Sequence, residues 1–179
     1  MPPNVHLRVP TRARPYDACM SPTAPGKGEP WYRDGLRFEC TMCGNCCTGP
    51  EGVVLFTPDE GTAMAQKMGM PVAEFLERYS RKVGKHRSLR EKQTEFGNDC
   101  IFLDRNSIPG KAVCGLYEAR PEQCRTWPFW DGNLKSRKAW EDTKKHVPCP
   151  GMDTGPVHDY LQIRIALERD KAEGGSWAR

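Results

Sequence analysis

Large apolar side chains are scarce in this chain. Leu, Ile, Val and Phe supply 29 of its 179 residues, about 16%, below the roughly 20% at which a packed core becomes doubtful. No apolar run approaches the roughly 18 residues of a membrane-spanning helix, so a helical span is excluded. Charge of one sign is also scarce. A net +4 and a pI near 8.6 give neither the self-repulsion of a disordered chain nor the excess of a basic nucleic-acid arm. Histidine is limited to His6, His86, His146 and His158, and no two stand at ligand spacing. No Ser/His/Asp order, phosphate loop or carboxylate pair stands out. No export signal is visible: residues 1–20 hold four prolines and three arginines and no apolar stretch, either at the start or before Cys19. The expected location is therefore the cytoplasm, a reducing compartment.

Cysteine is what the chain has. Nine of them fall short of the roughly 8–10% typical of a disulfide scaffold. In a reducing compartment clustered thiols point to metal or redox chemistry. A core this thin needs such a supplement.

Residues 1–30 carry seven of the sixteen prolines and read as a loosely packed, Pro-rich arm. Residues 31–152 read as the domain proper, and 153–179 as a C-terminal helix and tail. Within the domain, Gly52-Val-Val-Leu-Phe56 reads as a buried strand. Thr57-Pro58-Asp59-Glu60 then opens a helix with a capping box and Pro at its first position, running to about Met68, with Gly69 as its stop. A second helix is expected from Pro71 to about Arg81, because Val72, Phe75, Leu76 and Tyr79 recur at helical spacing. Residues 87–96 read as a polar strand or loop. Strands 100–103 and 112–117 are joined through a Pro109-Gly110 turn. A helical turn over 119–125 and helices over 134–146 and 156–172 follow, the last with Val157, Leu161 and Ile165 on one face beside Tyr160, Ile163 and Leu167. The expected fold is a small α+β domain with a few short strands and flanking helices.

Eight cysteines carry the chemical signal. Cys40, Cys43, Cys46 and Cys47 form a C-x2-C-x2-C-C run, and Cys100, Cys114, Cys124 and Cys149 stand singly. Two intervening residues let one tight turn aim two sulfurs at one ion, and Gly44 relieves the crowding of such a turn. Adjacent Cys46 and Cys47 are expected to diverge, one of them serving a second ion, bridging, or standing behind the direct ligands. Cys149 lies between two prolines, and a Cys-Pro step near a turn is common around iron–sulfur ligands. Cys19, in the arm, reads as an idle thiol. His146, three residues before Cys149, reads as a solvated helix-end residue rather than a ligand. Trp127, Phe129 and Trp130 read as a cover over the metal site. The basic segment 77–92 reads as a solvated helix end and loop, which argues against a nucleic-acid partner.

Phe38-Glu-Cys40-x2-Cys43-x2-Cys46-Cys47, then Thr57-Pro-Asp-Glu, Cys100-Ile-Phe-Leu103, Cys114-x2-Tyr117, Arg120-Pro121-x2-Cys124-Arg125 and Pro128-Phe129-Trp130, resembles the YkgJ-type cysteine-cluster family over roughly residues 36–150. The resemblance implies a zinc- or iron-chelating domain, with Cys40, Cys43, Cys46, Cys47, Cys100, Cys114, Cys124 and Cys149 as its metal ligands and Cys19 as an extra. Some relatives are flagellin lysine N-methylases with an iron–sulfur cluster, but they are longer and no methyl-donor fingerprint is present here.

One dense run with four single cysteines suits a cluster or binuclear site better than two independent zinc ribbons. The reading leans to an iron–sulfur cluster, with zinc as the alternative; thiolates suit both. The expected function is metal binding that organises the fold. The alternatives are a redox or methyl-transfer enzyme using the same centre, and a zinc-stabilised module binding protein or nucleic acid. A metal ion or cluster is the expected partner, a protein partner is left open, and no membrane is expected.

Overall fold

The structure, a computed structural model, describes residues 28–172. Most of the expected arm, including Cys19, lies outside the described residues. Among the described residues, ten short strands and six helices make an α+β fold: β1 (Leu36–Phe38), β2 (Thr48–Gly49), β3 (Leu55–Phe56), α1 (Pro58–Lys67), α2 (Val72–Tyr79), β4 (Ser80–Val83), β5 (His86–Leu89), β6 (Glu91–Thr94), β7 (Gly97–Cys100), β8 (Leu103–Asp104), β9 (Val113–Cys114), α3 (Glu122–Arg125), α4 (Asp131–Leu134), α5 (Arg137–His146), β10 (Met152–His158) and α6 (Tyr160–Ala172). The strands form four small antiparallel sheets, β1-β10, β2-β7-β6, β3-β5-β4 and β8-β9.

Local chemistry sets the first helices. Thr57 and Glu60 close a reciprocal capping box on α1, with Pro58 in its first turn. Glu60 does more. Its Oε2 accepts from the Thr57 backbone N–H at 2.7 Å, and its Oε1 accepts from the Glu122 N–H at 2.6 Å, so one carboxylate caps both α1 and α3. Helix α2 ends at Tyr79, two residues short of expectation. Arg87, on the hairpin that follows, donates to the Leu76 carbonyl at 2.8 Å and to Ser80 Oγ at 2.7 Å, and Arg90 donates to the Glu77 carbonyl at 3.3 Å. Carbonyls left without partners at a helix end are thus answered by guanidinium groups. The basic segment 77–92 is in part internal bracing: Arg81 likewise donates to the Gly52 carbonyl at 2.7 Å.

The expected long strands are shorter. Residues 100–103 split between β7 and β8, and 112–117 leaves only Val113–Cys114. The expected helix over 134–146 becomes α4 and α5, because Ser136 caps a new helix by accepting from the Ala139 N–H at 3.0 Å. The expected helix from Pro156 is corrected: residues 152–158 are strand β10 against β1. The helix starts only after Asp159, whose carboxylate accepts from the Gln162 N–H at 2.8 Å while the Gln162 side chain accepts from the Asp159 N–H at 2.9 Å. The reciprocal cap, invisible to apolar periodicity, decides the boundary. Consequently Val157, Leu161 and Ile165 are exposed, and the buried face of α6 is Ile163 and Leu167.

Two apolar clusters result. One gathers Tyr32, Trp127, Phe129, Leu134, Trp140, Met152, Ile163 and Leu167, with Cys149 packed against it. The other gathers Phe56, Met64, Ala65, Phe75, Leu89 and Leu116, with Cys100 and Cys114 packed against it.

Candidate metal centre

Three of the isolated cysteines therefore belong to two different cores, Cys149 to one and Cys100 and Cys114 to the other, and the Cys40–Cys47 run is tied to both. Its backbone is pinned at three points, each beside a distant cysteine. The Met42 carbonyl accepts from the Ala112 N–H at 2.7 Å, two residues before Cys114. Asn45 Nδ2 donates to the Pro148 carbonyl at 2.6 Å, next to Cys149. Thr48 pairs with Asp99 across the β2–β7 ladder, next to Cys100. Thr48 Oγ1 donates to Asp99 Oδ1 at 2.5 Å, and Arg105 grips the same carboxylate at 2.8 and 2.9 Å. The Arg105 hydrogen bond holds the buried Asp99 carboxyl below the usual range against the opposing effect of burial, with Thr48 assisting.

Two glycines make these approaches possible. Gly44 sits at φ +78, and a Cβ there would lie 2.6 Å from the Ala112 Cβ. At Gly151 a Cβ would lie 1.9 Å from the Glu39 carbonyl oxygen. That contact brings the chain just before Cys40 against the chain just after Cys149.

The outcome is one cavity of about 250 Å³ on whose walls stand Cys40, Cys43, Cys46, Cys47, Cys100, Cys114, Cys124 and Cys149. All eight are free of disulfides. Cys40 and Cys46 are exposed and the other six half-buried. Cys46 and Cys47 do not diverge as expected: they lie in a single 3-10 turn over Asn45–Cys47, and their sulfurs are 3.7 Å apart. That is close to the roughly 4 Å between two thiolates on one metal, given bonds near 2.3 Å. Among the described residues, however, no three His, Cys, Asp or Glu side chains converge into a ready-made site for a single ion.

The electrostatics single out Cys47. Its thiol is pushed far up, first by the Cys46 sulfur beside it, then by burial and by the charges of Cys46 and Cys43, with Arg120 opposing. Burial pushes Cys100 up to about 12, Cys47 and Cys114 adding to it. Burial also raises Cys124, with Cys47, Cys100 and Cys114 adding, and raises Cys114. Cys149 is raised by burial and by Cys43. Without a cation these thiols stay protonated at neutral pH, so a bound metal must displace protons.

Backbone amides oppose the rise. The Phe102 N–H serves Cys100, the Leu116 N–H serves Cys114, and the Gly151 and Met152 N–H groups serve Cys149. Three separate cysteines thus have an N–H two residues on directed at their sulfur, the kind of donor that favours a thiolate. Two more donors on the cavity wall, Thr41 Oγ1 and Trp127 Nε1, are buried and have no hydrogen-bond partner. Soft sulfur donors, amides aimed at them and orphaned donors beside them fit a thiolate-bound metal.

Arg120 also lines the cavity. Its guanidinium lies 4.1 Å above the Tyr117 ring, and its charge favours the thiolate forms of Cys47, Cys114 and Cys124. Sequence reasoning gave Arg120 no role, although its place four residues before Cys124 was a usable signal. Asn45, Thr48 and Asp99 left no such signal, since their partners are distant in sequence. Of the aromatic trio, Trp127 and Trp130 line the cavity, whereas Phe129 turns into the core and stacks on Trp140. His146 is exposed and bonded to the Asp142 carbonyl of its own helix at 2.7 Å, and it does not line the cysteine cavity.

Fold and cavity together define a small α+β domain built around clustered thiols. The chain belongs to the CxxCxxCC family, described as a "putative zinc- or iron-chelating domain", whose profile matches residues 39–150. No solved structure matches the chain. No helix among the described residues is long and apolar enough to cross a membrane.

Proposed function

We propose that Cys40, Cys43, Cys46, Cys47, Cys100, Cys114, Cys124 and Cys149 hold a metal centre that joins the two cores, and that this centre is an iron–sulfur cluster rather than zinc. The observation that carries the reading is the single cavity lined by all eight sulfurs. The absence of any tight three-residue site among the described residues supports a polynuclear group, which reaches sulfurs too widely spaced for one ion. Such a group supplies the chain with a cross-link and, if it is iron–sulfur, with a redox couple. Free thiols at all eight positions suit a reducing compartment, the cytoplasm.

The test is anaerobic purification followed by iron, sulfide and zinc analysis and an absorption spectrum. Iron with sulfide and a broad visible absorbance are expected, both lost in Cys47→Ser. A colourless protein with stoichiometric zinc would replace the iron–sulfur assignment. A protein that retains and takes up no metal would overturn the centre itself.

A further inference from the structure

Trp127 is about nine-tenths buried, and its indole Nε1 has no hydrogen-bond partner. A buried unpaired donor is costly, so native chains rarely keep one without a use. The other tryptophans of the described residues are all satisfied. Trp31 Nε1 donates to the Leu134 carbonyl at 2.8 Å, Trp130 Nε1 to the Gln123 carbonyl at 3.0 Å, and Trp140 Nε1 to Asp153 Oδ1 at 2.9 Å. Trp127 differs from them in where it stands. It lines the cysteine cavity together with Cys149, and both side chains pack against the same apolar cluster.

We propose that the Trp127 indole N–H is the hydrogen-bond donor to the Cys149 thiolate in the metal-loaded protein, which makes Trp127 a positioning residue of the centre. The inference rests on the reading of the cysteines as metal ligands. A protonated, neutral thiol is a weak acceptor, and it leaves the indole without a good partner. A metal-bound thiolate carries the negative charge that the N–H lacks, and charge-assisted bonds of this kind are about twice as strong as neutral ones. The donor is therefore a liability in the metal-free protein and an asset in the loaded one. The indole already faces the Cys149 sulfur, without the geometry of a full hydrogen bond, and Cys149 packs against the cluster that holds the Trp127 ring. A ring fixed in the core holds the Cys149 sulfur on the side from which the metal is met, as outer partners do for other metal ligands.

The experiment loads the full chain with cadmium-113 and records proton–cadmium correlations. Cysteine methylene correlations report binding, and a correlation from the Trp127 indole proton reports the bond through sulfur. In parallel, cadmium affinity is measured by chelator competition for the wild type and for Trp127→Phe, with melting curves for each form. The expected results are an indole correlation in the wild type and a loss of about 10- to 100-fold in affinity for Trp127→Phe. Melting should shift more for the loaded than for the metal-free variant. Cysteine correlations without an indole correlation, with equal melting shifts in both forms, would reduce Trp127 to a packing residue and overturn the inference alone. Absence of any cysteine correlation would show that these thiols do not hold cadmium and would overturn this inference; the metal reading falls with it only if the protein holds no iron or zinc either.

Discussion

At the scale of single residues, the chain spends buried polar groups where it needs position and tolerates one that it does not need. Asp99 is buried but answered by Arg105 and Thr48, and it braces the turns that carry Cys47 and Cys100. Asp170, in α6, is buried beside Asp131 with only Lys171 to oppose. Burial first, and the Asp131 charge second, raise its carboxyl to about 6. An ordinary aspartate in the unfolded chain titrates near 3.9. Below that value both states are protonated and the group is neutral to stability. As pH rises toward 6 the unfolded chain loses its proton first, and stability falls. Asp170→Asn should therefore stabilise the protein at pH 7 by about 1–2 kcal/mol and leave it unchanged near pH 3.5. Denaturant titrations at the two pH values decide this; an equal gain at both would remove ionisation as the cause.

At the scale of elements, the helices are short and their ends matter more than their lengths. Glu60 joins α1 and α3 through two backbone N–H groups, and α3 carries Cys124. Helix α3 has four residues and cannot persist without tertiary help. Glu60→Ala should cost about 1–3 kcal/mol, a cap plus an unpaired amide. It should also loosen the segment holding Cys124, visible as faster amide exchange at residues 122–126. Glu60→Gln keeps one carbonyl acceptor and should recover about half of the loss. Exchange in 122–126 unchanged by Glu60→Ala would mean that α3 is held by packing alone.

At the scale of the molecule, two small apolar clusters flank a cavity whose walls are thiols. Each cluster alone is a thin core for a chain with so few large aliphatics. A metal centre bonded to sulfurs on both sides joins them into one cooperative unit. Structural metals contribute roughly 10 kcal/mol or more of apparent binding energy, comparable to a whole domain's stability. Chelation of the loaded protein should lower its melting temperature by about 10 °C or more and broaden the transition as the clusters uncouple. Calorimetry on loaded and verified metal-free protein measures this, and superimposable curves would refute the role of the metal in stability.

The sequence alone determined what depends on neighbours a few residues apart. Thr57, Pro58 and Glu60 announce α1, and the apolar spacing from Val72 to Tyr79 announces α2. The Pro109-Gly110 turn is equally local, and the eight cysteines mark themselves by residue type. Only the tertiary structure decided the rest. Strands of two or three residues such as β2 and β9 carry no readable periodicity and exist because a partner strand satisfies their amides. The end of β10, Pro156–His158, reads as helix until it meets Leu36–Phe38. That Cys46 and Cys47 face the same way follows from a 3-10 turn held by Asn45 against Pro148, more than a hundred residues away. Metal-binding side chains are chosen one by one in sequence, but their convergence on one cavity is fixed by contacts between residues that the chain keeps far apart.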